Sequence, residues 1–293
     1  MLTKRQNLLE TIRGGNPDRF VNQYEAFNIL MGSPFGKRNP NPKLGEMNVV
    51  NAWGVTKSYP IGTPGPFPVH TPDKIVIKDI ENWRDYVKVP RVVYDAEEWE
   101  PFIAMAEAVD RKEQFVTPFF APGVFEQCHY LMEIQNCLMA FYEYPDEMHE
   151  LIDCITEFEL DYAAELCKYV KPDAMFHHDD WGSQISTFIS PDMFREFYKP
   201  AYEKIYGYYK SHGVELIKKY GGQISFMGGI DSATVDFEGW TQEKVRQEVR
   251  KACEACGKLY FIPNGSQGLP MSTYPGVYEA ISAEIDLASK DMF

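Results

Sequence analysis

Apolar positions recur at helical spacing over residues 3–12, 96–110, 124–141, 145–170, 191–211, 241–256 and from about 276 to 290, so each stretch reads as an amphipathic helix. Shorter apolar runs lie between them. Residues 20–27, 74–78, 115–119 and 258–264 read as strands, and Ile224-Ser-Phe-Met-Gly-Gly-Ile-Asp is another strand ending in a glycine pair and an acid. Residues 79–87 form a short helix with Trp83 on its apolar side. Ser190 before Pro191 and Asp192 is a helix start, with serine as cap and proline at the first helical position.

Between two of the long helices lies Asp173-Ala-Met-Phe-His-His-Asp-Asp-Trp-Gly-Ser-Gln, an apolar run that ends abruptly in polar and ionisable side chains. It reads as a strand whose tip carries chemistry. Strands alternating with helices imply a parallel sheet, and their number and the chain length favour one (β/α)8 TIM-type barrel over residues 1–293. One place does not fit. Val214-Glu-Leu-Ile reads as a strand, yet the next strand starts at Ile224, too soon for the crossover that parallel neighbours need. A chain discontinuity, or one lacking helical unit, is expected near Leu216 and Ile217.

Residues 31–72 are rich in proline, glycine and asparagine, and so long a connector suggests a lid or binding loop. Asn51 and Trp53 sit inside it. Trp53 is either an aromatic wall for a substrate or an anchor that fixes the loop on the core. The aromatic-rich helix 191–211 (Phe194, Phe197, Tyr198, Tyr202, Tyr206, Tyr209) reads mainly as packing.

Composition narrows the partners. The 293 residues carry 29 basic against 43 acidic side chains, a net charge of −14, which repels nucleic acid and anionic membranes. No run of eighteen apolar residues is present and the N-terminus lacks an apolar signal core, so a cytoplasmic protein with a small-molecule substrate or a protein partner is expected, and a homodimer is carried as a further expectation. Six scattered cysteines suit reduced thiols. Cys253 and Cys256 make a Cys-x-x-Cys near a helix end, read as structural. No Gly-x-Gly-x-x-Gly or P-loop pattern supports a dinucleotide or nucleotide.

The chemistry concentrates at the strand tip. His177, His178, Asp179 and Asp180 can bind a divalent metal, hold a cation, or work as acid and base; the bland alternative is that the acids cap a turn and the histidines pack beneath it. Strand alternation puts His178 and Asp180 on one face, His177 and Asp179 on the other. His178, Asp179 and Asp180 are the catalytic candidates. Gln23, Asn51, Trp53, Trp181, Gln184, Asp231 and Asn264 are the substrate-binding candidates, the strand tips being expected to converge at one mouth.

Asn16-Pro-Asp-Arg-Phe, Trp53-Gly54, Asp179-Asp-Trp-Gly-Ser-Gln followed by Ile189-Ser-Pro-Asp-Met-Phe-Arg-Glu-Phe-Tyr-Lys-Pro, and Ile224-Ser-Phe-Met-Gly-Gly-Ile-Asp resemble the uroporphyrinogen decarboxylase superfamily over nearly the whole chain. The resemblance implies a (β/α)8 barrel and one of two chemistries: cofactor-free decarboxylation of uroporphyrinogen, or methyl transfer with a corrinoid protein, usually with zinc. The region matching the decarboxylases' arginine-rich motif, Asn22-Gln-Tyr-Glu-Ala-Phe, has no arginine. The methyltransferase branch is therefore expected, acting on a methoxylated aromatic (O-demethylation) or a methylated amine or thiol, with a corrinoid carried by a partner protein. A decarboxylase-like lyase and a non-catalytic barrel are the alternatives. The resemblance implies a zinc-binding cysteine near the last strand, but Pro263-Asn264-Gly-Ser has none, so zinc is either absent or held by histidines and carboxylates such as His178 and Asp180.

Overall fold

The computed structural model describes residues 1–63, 65–183, 186–214, 225–265 and 273–293. The expected discontinuity near Leu216 and Ile217 lies outside the described residues, as does Gln184. In chain order the elements begin α1 (Lys4–Arg13), β1 (Phe27–Leu30), β2 (Val49–Val50), β3 (Thr56–Ser58), β4 (Phe67–Pro68), α2 (Trp83–Tyr86), α3 (Ala96–Glu107) and β5 (Phe115–Phe120). They continue α4 (Val124–Met132), α5 (Ile134–Glu143), α6 (Pro145–Tyr169), β6 (Phe176–His177), α7 (Pro191–Met193) and α8 (Lys199–Ser211). The last are β7 (Phe226–Ile230), α9 (Ser232–Val235), α10 (Gln242–Cys256), β8 (Phe261–Gly265) and α11 (Val277–Met292). The architecture is α/β. Parallel pairing is seen for β5 with β6 and for β7 with β8, and a closed eight-stranded barrel is not seen among the described residues. None of their helices is long and apolar enough to cross a membrane.

The elements fall into two compact units. The first comprises Met1–Asn28, Ala108–Val116 and Leu216–Phe293. Its first helix, α1, starts in a capping box, in which the Thr3 side chain accepts from the Gln6 N–H and the Gln6 side chain accepts from the Thr3 N–H. It ends at Gly14 in the left-handed region (φ 71°), where a Cβ would also meet the Tyr260 ring. Strands β7 and β8 run parallel from Phe226 opposite Phe261 to Ile230 opposite Gly265, with α10 as the crossover. The apolar stripes of α10 (Val245, Val249, Cys253) and α11 (Ile281, Ile285) meet Phe20, Ile230 and Phe261 in one sealed core. The Cys-x-x-Cys is structural, as expected: Cys253 is buried and its thiol pushed up to about 12 by burial, whereas Cys256 is exposed.

The second unit comprises Ile29–Glu107 and Thr117–Glu215. The proline- and glycine-rich stretch is partly ordered as sheet: β2, β3 and β4 form an antiparallel ribbon, with Lys57 opposite Val49 and Pro68. The 25-residue α6 turns Met148, Leu151, Ile152, Ile155, Phe158, Tyr162 and Leu166 inward, the spacing read from the sequence. Helix 191–211 is present as α7, one π-helical turn (Phe194–Tyr198) and α8. A π turn inserts an extra residue and rotates the helix beyond it, the part that carries Tyr202.

Three expectations are corrected. The helix expected over 124–141 breaks at Glu133 (φ 76°), because its carboxylate caps a new helix by accepting from the N–H groups of Gln135 and Asn136. The strand expected over 20–27 is a turn until Phe27, with Gln23 at φ 51° and its amide tied to α11. Residues 74–78 make no strand; the N–H groups of Val76 and Ile77 donate instead to the Leu131 carbonyl.

Ile285 is fully buried in the first unit's core, so Ile285→Ala should cost about 2–5 kcal/mol. Leu287 is 43% exposed, and its replacement by alanine should stay within about 0.5 kcal/mol. Denaturant unfolding of both variants checks the contrast.

Candidate functional site

The second unit gathers its ionisable groups where β6 ends. Strand β5 runs beside β6, with Phe120 opposite His177, and α4 starts just after β5, so the β6 tip and the N-terminus of α4 are neighbours. The cap residue of α4 is Gly123, which has no side chain to offer the first amides. Asp179 fills that role from across the sheet: Oδ2 accepts from the Phe125 N–H at 2.9 Å and Oδ1 from the Glu126 N–H at 2.9 Å. A carboxylate there also meets the positive end of the helix dipole. Glycine at 123 is required by this approach, since a Cβ would lie 2.6 Å from the Asp179 Cβ. The Tyr202 hydroxyl, on α8, donates a third bond to Asp179 Oδ2.

Holding α4 in this way aims Glu126 at the next residue of the tip. His178 Nδ1 lies 2.9 Å from Glu126 Oε2, and the Tyr130 hydroxyl donates to Glu126 Oε1 at 3.2 Å. A carboxylate only accepts, so Nδ1 carries the proton and Nε2 is the nitrogen left for another partner. The Glu126 side chain is 9% exposed and that of His178 is 46% exposed. The hydrogen bond to Glu126 outweighs partial burial and raises the His178 pKa above the ordinary imidazole range, helped by the charge of Asp180. Lys57 comes from β3, its ammonium 5.4 Å from the centre of the Tyr130 ring.

His177, one residue back, turns the other way, as strand alternation requires. Its Nε2 lies 2.7 Å from Glu159 Oε2, with both side chains buried. Burial alone would lower the imidazole, but the Glu159 charge and hydrogen bond overcome it and the His177 pKa is raised; burial raises Glu159 as well. The pair therefore shares a proton inside the unit. Tyr202 and Tyr206 stack on each other (5.4 Å between ring centres), both standing edge-on to His177.

The other candidates separate. Asp180 is exposed beside His178. Trp181 packs 4.8 Å from Phe194 and its indole N–H donates to the Tyr202 hydroxyl, so it belongs to the same cluster. Trp53 is 3% exposed, its ring 4.8 Å from Phe158, and Asn51 shapes its loop by accepting from the N–H groups of Trp53 and Val55. Trp53, Phe158 and Glu159 line a cavity of about 10 Å³, room for about one water and not for a substrate. A larger cavity of about 240 Å³ is lined by Ile77, Met132, Asn136 and Met139, without any of the ionisable groups of the β6 tip.

Gln23, Asp231 and Asn264 lie in the first unit. Gln23 is buried and donates to Ser282 Oγ; Asp231 caps α9 through the Ala233 N–H; Asn264 is buried with its amide 3.5 Å from the Tyr24 hydroxyl. A catalytic zinc takes three protein donors. No group of three histidine, cysteine, aspartate or glutamate side chains placed to hold a metal is found among the described residues, where Asp179 and Glu126 are engaged in hydrogen bonds.

The pattern missed Glu126, Glu159, Tyr202 and Lys57. Glu126 and Glu159 were visible only as acids on the apolar faces of helices (Phe125-Glu-Gln-Cys128 and Phe158-Glu-Leu), the one local sign that a buried carboxylate awaits a partner.

Residues 76–217 match the family model described as uroporphyrinogen decarboxylase. The similarity to that superfamily is thus shown over a stretch that holds Glu126, Glu159, His177, His178 and Asp179. No curated protein sequence matches this one. Among solved structures, a methyltransferase from Methanosarcina mazei superposes with a TM-score of 0.63 at 16% identity, over 98% of this chain and 99% of that one, which establishes a shared fold.

Glu126→Gln should bring the His178 pKa down towards the ordinary value near 6.5, and a histidine NMR titration reads it. The raised pKa sets the sign: the pair adds stability below the unfolded value, and that increment is lost as pH rises through the folded one. Wild type should therefore lose stability relative to Glu126→Gln on that alkaline passage. An unmoved His178 titration would show that Glu126 does not set it.

Proposed function

We propose that the chain is a methyltransferase of the uroporphyrinogen decarboxylase-like type, moving a methyl group between a small substrate and a corrinoid protein. The family match and the shared fold with a methyltransferase support the class. The observation that carries the mechanism is the His178–Glu126 pair, with one imidazole nitrogen committed to Glu126 and the side chain half-exposed. The corrinoid on the partner is the co-substrate that takes or gives the methyl group. This chain's task in removing a methyl from oxygen is to protonate the leaving oxygen, because an alkoxide or phenoxide is a poor leaving group.

His178 suits that task. Glu126 holds the ring through Nδ1, stabilises its protonated form and leaves Nε2 as the donor. Asp179 works one step back, fixing the helix that carries Glu126. Exposed Asp180 adds negative charge that favours the imidazolium. Trp181, on the Tyr202 and Phe194 rings, offers an apolar flank for the substrate.

Methyl transfer from a methoxylated aromatic to a corrinoid acceptor tests the reading. His178→Gln should lower kcat about 10²–10⁴-fold with the fold intact. Wild-type kcat should fall as pH rises through the His178 pKa, and the variant should lose that limb. Unchanged turnover in His178→Gln would remove the histidine from the reaction.

A further inference from the structure

Glu159 gives one carboxylate oxygen, Oε2, to His177; the other, Oε1, is buried and has no hydrogen-bond partner among the described residues. Gln127 Nε2 is in the same position. The two side chains come from different helices, Gln127 from α4 and Glu159 from α6, and each residue is 3% exposed. Both line the cavity of about 10 Å³, whose other walls include the buried rings of Phe35, Trp53, Phe120 and Phe158. Apolar walls offer these atoms nothing, and a buried donor or acceptor left unmet is costly. Burial raises the Glu159 pKa, so a further donor at Oε1 would favour the charged carboxylate that His177 faces.

We propose that one water molecule resides in this cavity, accepting from Gln127 Nε2 and donating to Glu159 Oε1, and that Gln127 is through it a positioning residue for the buried His177–Glu159 pair. The chemistry of the two atoms selects the occupant. Nε2 only donates and a carboxylate oxygen only accepts, so the occupant has to accept and donate at once. A cation would meet Glu159 alone and would stand beside the proton that His177 already shares with it; an anion would meet Gln127 alone and face the carboxylate. Size agrees, since about 10 Å³ is the space of one water, and a water held by buried polar groups is part of the structure. Helix α4 then serves both pairs with consecutive residues, Glu126 directly on His178 and Gln127 through water on Glu159. Whether or not the chain transfers methyl groups, the site stands, since it belongs to the pair that the methyl-transfer mechanism leaves unused.

A high-resolution crystal structure of the full chain should show one density peak within about 3.2 Å of both Gln127 Nε2 and Glu159 Oε1. Gln127→Met, similar in length and without N–H groups, should lose that peak. No peak in wild type overturns the proposal whatever the variants do. A peak with the anomalous signal of an ion overturns it too, as does one that persists unchanged in a folded Gln127→Met. Thermal melts of Gln127→Met, Glu159→Gln and the double variant test the positioning role. A water that joins two residues couples them, so the loss of Tm in the double variant should fall short of the sum of the two single losses. Additive losses would reduce Gln127 to packing and overturn its positioning role. Glu159→Gln keeps the size of the buried side chain; where it does not fold, Glu159→Asp completes the cycle.

Discussion

The contact on which the ionisable cluster depends is the Asp179 carboxylate on the first turn of α4. Two backbone N–H groups and the Tyr202 hydroxyl converge on it, so a helix whose own cap is a glycine borrows its anion from the tip of β6. The exchange orients both partners. The helix end gains the charge that its dipole and its unbonded amides require, and the strand tip is pinned so that His178 faces Glu126. A side chain at residue 123 would separate them.

From that junction the unit arranges its charges in pairs. His177 with Glu159 is sealed, its proton shared within the interior, and His178 with Glu126 is half open to solvent. The same motif, an imidazole on a carboxylate, thus appears twice in adjacent residues with opposite accessibility, because consecutive strand residues point to opposite faces. The inner pair suits holding the sheet to α6; the outer one suits proton transfer, which needs an exposed nitrogen of suitable basicity. The π turn before α8 contributes by setting the angle of Tyr202, the residue that touches both Asp179 and the ring of His177.

At 16% identity the likeness to the Methanosarcina mazei methyltransferase shows a shared fold and no more. Function in such a fold has to be argued from the site. Here Asp179 and Glu126 are engaged with backbone amides and with His178, so the described part of the site is organised by hydrogen bonds.

Local pattern determined much of this protein. The helices α6, α10 and α11, the serine-capped start at Pro191, the α/β class and the polar tip at His177 to Asp180 follow from 3.6-residue periodicity, capping chemistry and alternation, which act over a few residues. Where a nearby side chain could intervene the pattern failed: the Glu133 carboxylate ends one helix by capping the next. Only the tertiary structure decided which groups meet. Glu126 is 52 residues from His178, Asp179 lies 54 from the Phe125 amide it caps, and Lys57 arrives on a ribbon inside what reads as a loop. Such partnerships are set by strand order and helix packing, and a carboxylate's spacing along the chain carries no record of the imidazole it will face.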